Sequence, residues 1–292
     1  KYVEKFKASQ KIGTYTDRLS KLSQLVEFRP SLRVGDINSK MVSDYKDYLE
    51  GLGNSENTVR SKIKFLKTLY RAYCHRYNYQ GNSNAFVMDK AKVKSTIKFL
   101  TETQLSAFEK LKMESAKQQL YKDMFLFSVK GIGLRISDLL TLKWAHIDEM
   151  ERNINKVAIK TGKTLHMKLP SPALEILKRQ RNSESLPNDY VFAILDDSIE
   201  DLSDATVLDT AISRETASYN KFLKRCGEKI GLPFRLSSQK GRHSYATRAI
   251  NKGMPLHDVQ YTLGHASFKE TEIYAKIVKT SVDGSIDKYL SE

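Results

Sequence analysis

A single change of period governs what this chain can fold into. Along nearly all of its 292 residues the apolar positions recur at helical spacing, and they alternate with period two only over residues 155–169. Recurrence at three and four buries one stripe of a helix, whereas alternation buries one face of a strand. In that stretch Val157 and Ile159 alternate with Ala158 and Lys160. Leu165, Met167 and Leu169 then alternate with His166 and Lys168, beyond the turn Thr161-Gly162-Lys163. The pattern predicts a hairpin set among helices, and so a mainly α fold with one small β-sheet, of α+β class.

A length of 292 residues suggests two domains. The clearest helix of the first third is expected from Asn57 to about Tyr77, opened by Asn54-Ser55 after Gly51 and Gly53. Val59, Ile63, Leu66, Tyr70 and Tyr73 form its apolar stripe, and Arg60, Lys64, Lys67 and Arg71 run beside it at spacings of 4, 3 and 4. Four cations flanking an apolar seam can track a phosphate backbone, or be an ordinary solvated face. Residues 79–100 have the composition of a linker, with Lys90, Lys92 and Lys94 close together. The expected division is therefore 1–97 and 98–292, with the linker starting near 79. Thr101 and Gln104 make a capping box before Leu105, Phe108 and Leu111, where a new helical unit begins. No internal repeat is visible.

Charge narrows the partner. Lys and Arg number 49 against 34 Asp and Glu, a formal net charge of +15. Residues 1–97 hold 19 of the basic and 9 of the acidic side chains, so the excess is concentrated there. Such a balance favours a polyanion, with nucleic acid the leading candidate. Cys74 and Cys226 stand far apart, without a CxxC, and the six histidines show no metal-ligand spacing. Neither a disulfide framework nor a metal site is expected. The apolar runs are too short to span a membrane and no signal peptide is evident, so a soluble intracellular chain is expected. It opens on Lys1 without a methionine, and further residues are expected to precede it. Gly162-Lys163-Thr164 lacks the earlier glycine of a phosphate-binding loop, Val157 standing in its place, and Gly131-Ile132-Gly133 lacks the third glycine of a dinucleotide fingerprint.

What remains is an ordered set of segments. Gly131-Ile-Gly-Leu-Arg135-Ile-Ser-Asp-Leu-Leu places an arginine at the start of a short helix whose Ile136, Leu139 and Leu140 face inward. A lysine-bearing hairpin follows, then Gln239-Lys-Gly-Arg242-His243, then Leu263-Gly264-His265 with Tyr274 nine residues beyond the histidine. In this combination and order the chain resembles the tyrosine recombinase (phage integrase) family, mobile-element integrases in particular, over nearly its whole length.

The resemblance implies an all-α, SAM-like core-binding domain followed by a tyrosine-recombinase catalytic domain. It makes Arg135 and Arg242 the pair that holds the scissile phosphate. Guanidinium forks suit that work, because they bind phosphate oxygens bidentately and stay charged. Tyr274 matches the nucleophile, which forms a 3′-phosphotyrosyl link and frees a 5′-hydroxyl without ATP or metal. Lys160 matches the lysine that protonates the leaving oxygen, with Lys163 the nearby competitor. His265 matches a phosphate donor packed near the nucleophile. The implied partners are duplex DNA, other copies of the chain (two per site and four in the synapse) and accessory DNA-bending proteins. No cofactor and no membrane partner is implied, and the expected location is the cytoplasm, at the nucleoid.

One position departs from the pattern. Where the family usually carries histidine, three residues before the second arginine, this chain has Gln239. An amide donates a hydrogen bond but relays no proton near neutral pH. Cleavage is then slower, or the proton passes to a neighbour; His243, a structural residue in the family, is not expected to substitute. The rivals are a DNA-binding regulator that kept the fold and a type IB topoisomerase. Residues 278–292 carry Val282, Ile286, Tyr289 and Leu290 at helical spacing, an amphipathic tail expected to dock on its own domain or on the neighbouring protomer.

Overall fold

The computed structural model describes residues 12–86, 97–195, 201–265 and 267–275. The basic stretch 90–94 and the tail 278–292 lie outside them. The chain divides into two compact units, Lys1–Ser95 and Thr96–Glu292.

The first unit is helical. Helix α1 covers Ile12–Phe28, α2 covers Ser39–Gly51 and α3 covers Glu56–Tyr77, with short 3-10 turns at Val34–Asp36 and Ser83–Phe86. Local signals set the ends. The Asn38 side chain accepts from the Met41 amide at 2.9 Å at the start of α2, and Ser55 caps α3 through the Thr58 amide. Asn78 closes α3 with φ +47°, a left-handed conformation that asparagine tolerates. Val59, Ile63, Leu66 and Tyr70 are buried against Leu25, Met41, Tyr45 and Leu49. Tyr73, expected in the same stripe, is instead 39% exposed and packs on the Tyr77 ring at 4.6 Å between centroids. The core ends one helical turn earlier than the periodicity implies.

The second unit is built around a helix that is buried on every side. Helix α4 (Glu102–Lys110) opens on the predicted Thr101–Gln104 capping box, and α5 (Ala116–Lys130) follows. All nine residues from Tyr121 to Val129 are buried, including Lys122, which donates to the Glu109 and Leu111 carbonyls, and Asp123, which accepts from Arg179 and Gln180. Helix α6 (Ile136–Leu140) leads to the strands β1 (Ile147–Asp148), β2 (Asn153–Val157) and β3 (Thr164–Lys168), which form one antiparallel sheet in the order β1-β2-β3. Helices α7 (Ser171–Gln180), α8 (Ala205–Lys229), α9 (Ser238–Asn251), α10 (Leu256–Leu263) and α11 (Lys269–Ala275) complete it.

The hairpin forms with Asn155 opposite His166 and Lys156 opposite Leu165, but β2 has the opposite phase from the one its apolar residues suggest. Ile154, Lys156 and Ala158 point inward, while Val157 and Ile159 are 59% and 47% exposed. A buried lysine makes this phase tenable: the Lys156 stem fills core space and its ammonium donates to the Thr141 carbonyl at 2.9 Å. Strand β1, only two residues long, left no periodic signal.

Candidate active site

Helix α9 carries the centre of the site and packs on α5, α10 and α11. Arg242 is 8% exposed, and its guanidinium donates to the Gly133 carbonyl at 2.8 Å and to the Leu263 carbonyl. It therefore ties the turn before α6 to the end of α10. Gly133 has to be glycine for this approach. Its φ is +66°, and a Cβ there would lie 2.5 Å from the Tyr245 ring. Burial and the neighbouring charge of Arg135 draw the Arg242 pKa down to about 10, against the opposite pull of Tyr274, Asp138 and Glu270. It remains a cation at neutral pH.

Arg135 is the N-cap residue of α6, in extended backbone conformation. Its guanidinium reaches the left-handed C-cap of α10, where a Cβ on Gly264 would stand 4.0 Å from Nη1. Two arginines from segments about a hundred residues apart thus share one locality, and their guanidinium groups together suit an anion such as phosphate.

Tyr274, on α11, is 2% exposed. Its hydroxyl lies 2.8 Å from Nδ1 of His243, one residue beyond Arg242 on α9. Burial raises the phenol pKa, and Arg242 and Arg135 oppose the rise by favouring the phenolate. The His265 ring lies nearly parallel to that of Tyr274, at 6.4 Å and 13°. Nδ1 of His265 is engaged by the Thr271 hydroxyl at 2.8 Å. Burial and the adjacent cations, Arg242 first, push His265 down to about 4, and His243 is driven to about 4 by burial with Lys240 and Arg242. Both imidazoles are neutral at pH 7.

The hairpin also reaches this locality. Lys160 and Lys163 are exposed on the turn between β2 and β3, and the Lys163 ammonium donates to the His265 carbonyl at 3.2 Å. The structure thus brings Arg135, Arg242, His265 and Tyr274 together, and puts the turn bearing Lys160 beside them. Gln239 is solvent-exposed in the first turn of α9. Arg60, Lys64, Lys67 and Arg71 belong to the first unit. There Arg60 is paired with Glu56 at 2.8 Å, Lys67 lies over the Phe86 ring at 5.8 Å, and Lys64 and Arg71 are exposed.

Two residues escaped the motif reading. Asp138 is fully buried under the arginines; one carboxyl oxygen accepts the Ile159 amide at 2.9 Å and the other has no hydrogen-bond partner among the described residues. Burial raises its pKa, against the pull of that amide and of Lys156, Arg135 and Arg242. His243, expected as a structural neighbour of Arg242, touches the tyrosine hydroxyl. An acidic residue three after an arginine was visible as part of a helix, but nothing local marked it as buried. Among the described residues no group of His, Cys, Asp and Glu could hold a metal ion, and no helix is long and apolar enough to cross a membrane.

Fold and site together define a helical, two-unit protein with a buried tyrosine beside paired arginines. Residues 98–280 match the phage integrase family and residues 1–77 its SAM-like domain, so the chain belongs to the phage integrase family. A tyrosine recombinase XerC-like protein of Caldanaerobacter subterraneus subsp. tengcongensis is 26% identical over 289 residues, covering 88% of this chain and 71% of the relative. Among solved structures, a lambda integrase tetramer bound to a Holliday junction superposes with a TM-score of 0.68 at 19% identity, over 92% of this chain and 76% of that one. The integrase of transposon Tn1549 in complex with circular intermediate DNA gives 0.65 at 18% identity, over 94% and 93%.

Proposed function

We propose that this chain is a site-specific DNA recombinase that cuts and rejoins duplex DNA through a 3′-phosphotyrosyl intermediate, integrating or excising a mobile element. The observation that carries the reading is the convergence of Arg135, Arg242 and the His265–Tyr274 pair, three segments separated in sequence, on one locality of the second unit. Arg135 and Arg242 bind the non-bridging oxygens of the scissile phosphate and stabilise the charge that builds as a fifth oxygen approaches phosphorus. The Tyr274 oxygen forms the new bond to phosphorus, the bond to the 5′-oxygen breaks, and Lys160 supplies the proton that the leaving oxygen needs. His265 donates to the phosphate from beside the nucleophile. The phosphodiester energy is kept in the phosphotyrosyl bond, so rejoining requires no ATP, and cationic side chains take the part a metal plays in other phosphoryl transfers.

The first unit is assigned to clamping DNA, with Arg60, Lys64, Lys67 and Arg71 contacting phosphates. Lambda integrase, described as a tetramer on a Holliday junction, supports assembly of four protomers here, and the Tn1549 integrase, described on circular intermediate DNA, supports the mobile-element reading.

The test is capture of an SDS-resistant adduct. Nicked duplexes drawn from a randomised library are incubated with the protein, and covalently held DNA is recovered and sequenced. Wild type is expected to give adducts, and Tyr274→Phe none, while affinity for the selected duplex stays within a few fold. Binding without adducts would point to a regulator, and relaxation of any supercoiled plasmid to a topoisomerase.

A further inference from the structure

The chain lacks the histidine that its family usually places three residues before the second arginine, yet the phenol of Tyr274 still has to lose a proton when it attacks phosphorus. Position 239 cannot take it, since a glutamine amide is not basic near neutral pH and its side chain is turned to solvent. His265 has Nδ1 committed to the Thr271 hydroxyl at 2.8 Å and meets Tyr274 ring to ring. Lys163 is committed to a carbonyl at 3.2 Å, and both arginines are permanent donors.

The geometry points to His243 as the general base of this chain: its Nδ1, 2.8 Å from the Tyr274 hydroxyl, accepts the phenol proton as the tyrosine oxygen bonds to phosphorus. The inference rests on the recombinase reading above and adds a catalytic residue to it. The distance is within hydrogen-bond reach of a proton in flight, the first requirement of a general base. With its proton on Nε2, a neutral imidazole presents a lone pair at Nδ1, and burial with Lys240 and Arg242 keeps His243 neutral down to about pH 4. Its place on α9, next to Arg242, couples the base to the phosphate clamp, so one helix aligns both with Tyr274.

The step balances without a co-reactant. The bond from the Tyr274 oxygen to phosphorus forms as the bond to the 5′-oxygen breaks; the phenol proton passes to His243, and the leaving oxygen takes one from Lys160. On rejoining, the 5′-hydroxyl gives its proton back to the lysine and His243 returns its own to the tyrosine oxygen. The groups around the histidine are Lys240 and Arg242 on its own helix, Tyr274 on α11, and His265 between α10 and α11.

The test uses full-length protein and a nicked duplex on which wild type forms the adduct, so that failure of the recombinase reading appears first, as no adduct from wild type. His243→Asn keeps an oxygen near the position of Nδ1, and with it a hydrogen bond to Tyr274, but cannot carry a proton. Single-turnover adduct formation is expected to fall by roughly 100-fold or more, with duplex affinity and thermal melting near wild type. A second measurement separates proton transfer from placement. Replacing Tyr274 by a fluorinated tyrosine, whose phenol ionises more readily, is expected to restore His243→Asn by at least tenfold at alkaline pH, because a preformed phenolate needs no base. Adduct formation by His243→Asn at the wild-type rate, or a loss that the fluorinated tyrosine does not recover, would overturn the proposal.

Discussion

At the scale of single residues, the site is a set of ionisable groups whose charge states are set by burial as much as by chemistry. His146 shares the behaviour of the two site histidines. It accepts the Lys143 amide through Nδ1 at 2.9 Å and is held at about 4 by burial, Lys156 and Lys143. A histidine whose folded pKa is depressed is neutral in the fold and becomes cationic more readily in the unfolded chain. Its stabilising contribution is complete above the unfolded value near 6.5 and is lost as pH falls toward about 4. With His146, His243 and His265 all in this position, the melting temperature of the second unit is expected to fall progressively between pH 7 and 4.5. The His243→Asn variant is expected to show a shallower fall in calorimetric scans, and a flat profile in wild type would mean that these rings are not buried neutral. That His265 and Tyr274 belong to one site is implied by the family resemblance of the segment that carries them. That His243 faces the tyrosine could not be read from the sequence, because a residue next to Arg242 on a helix points wherever the packing of α9 against α11 turns it.

Among the elements, α3 and the hairpin show where periodicity succeeds and where it stops. Helix α3 begins at Glu56, capped by Ser55, and ends at Tyr77, much as the cap and the apolar stripe predict, since caps and i to i+4 spacing are local properties of the chain. Its cations are less uniform than their spacing suggests. Arg60 is already satisfied by Glu56, and Lys67 leans over Phe86. Replacing Lys64 and Arg71 together by alanine is therefore expected to lower the slope of log affinity against log salt by about one to two on duplex DNA, while Arg60→Ala alone changes it little. Salt titrations by fluorescence anisotropy measure both. An unchanged slope in the double variant would assign the stripe to an ordinary solvated face. The hairpin was legible as a hairpin, but the phase of β2 was not, because a buried lysine reads as polar until its carbonyl partner at Thr141 is known.

For the whole molecule, three hydrophobic clusters are found among the described residues: one gathers residues between Leu25 and Phe86 in the first unit, and the other two lie at Ile97 and beyond in the second. A unit with its own core is expected to fold by itself. Residues 96–292 produced alone should melt cooperatively, within a few degrees of the corresponding transition of the full chain, and should bind duplex DNA more weakly. Aggregation or a featureless melt would show that the core needs the first unit. Sequence alone determined the helical class, the single hairpin, the linker composition near 79–100 and the basic excess of the first third, because each rests on local spacing or on composition, while the candidate nucleophile came from the resemblance of the ordered motifs to a known family. Only the tertiary structure decided that Arg135, Asp138, His243, His265 and Tyr274 meet around Arg242, that Lys156 is buried, and that Tyr73 is not. The site contacts join separate elements of the second unit, and they exist only once α9 has packed against α5, α10 and α11 and the hairpin has closed beside them.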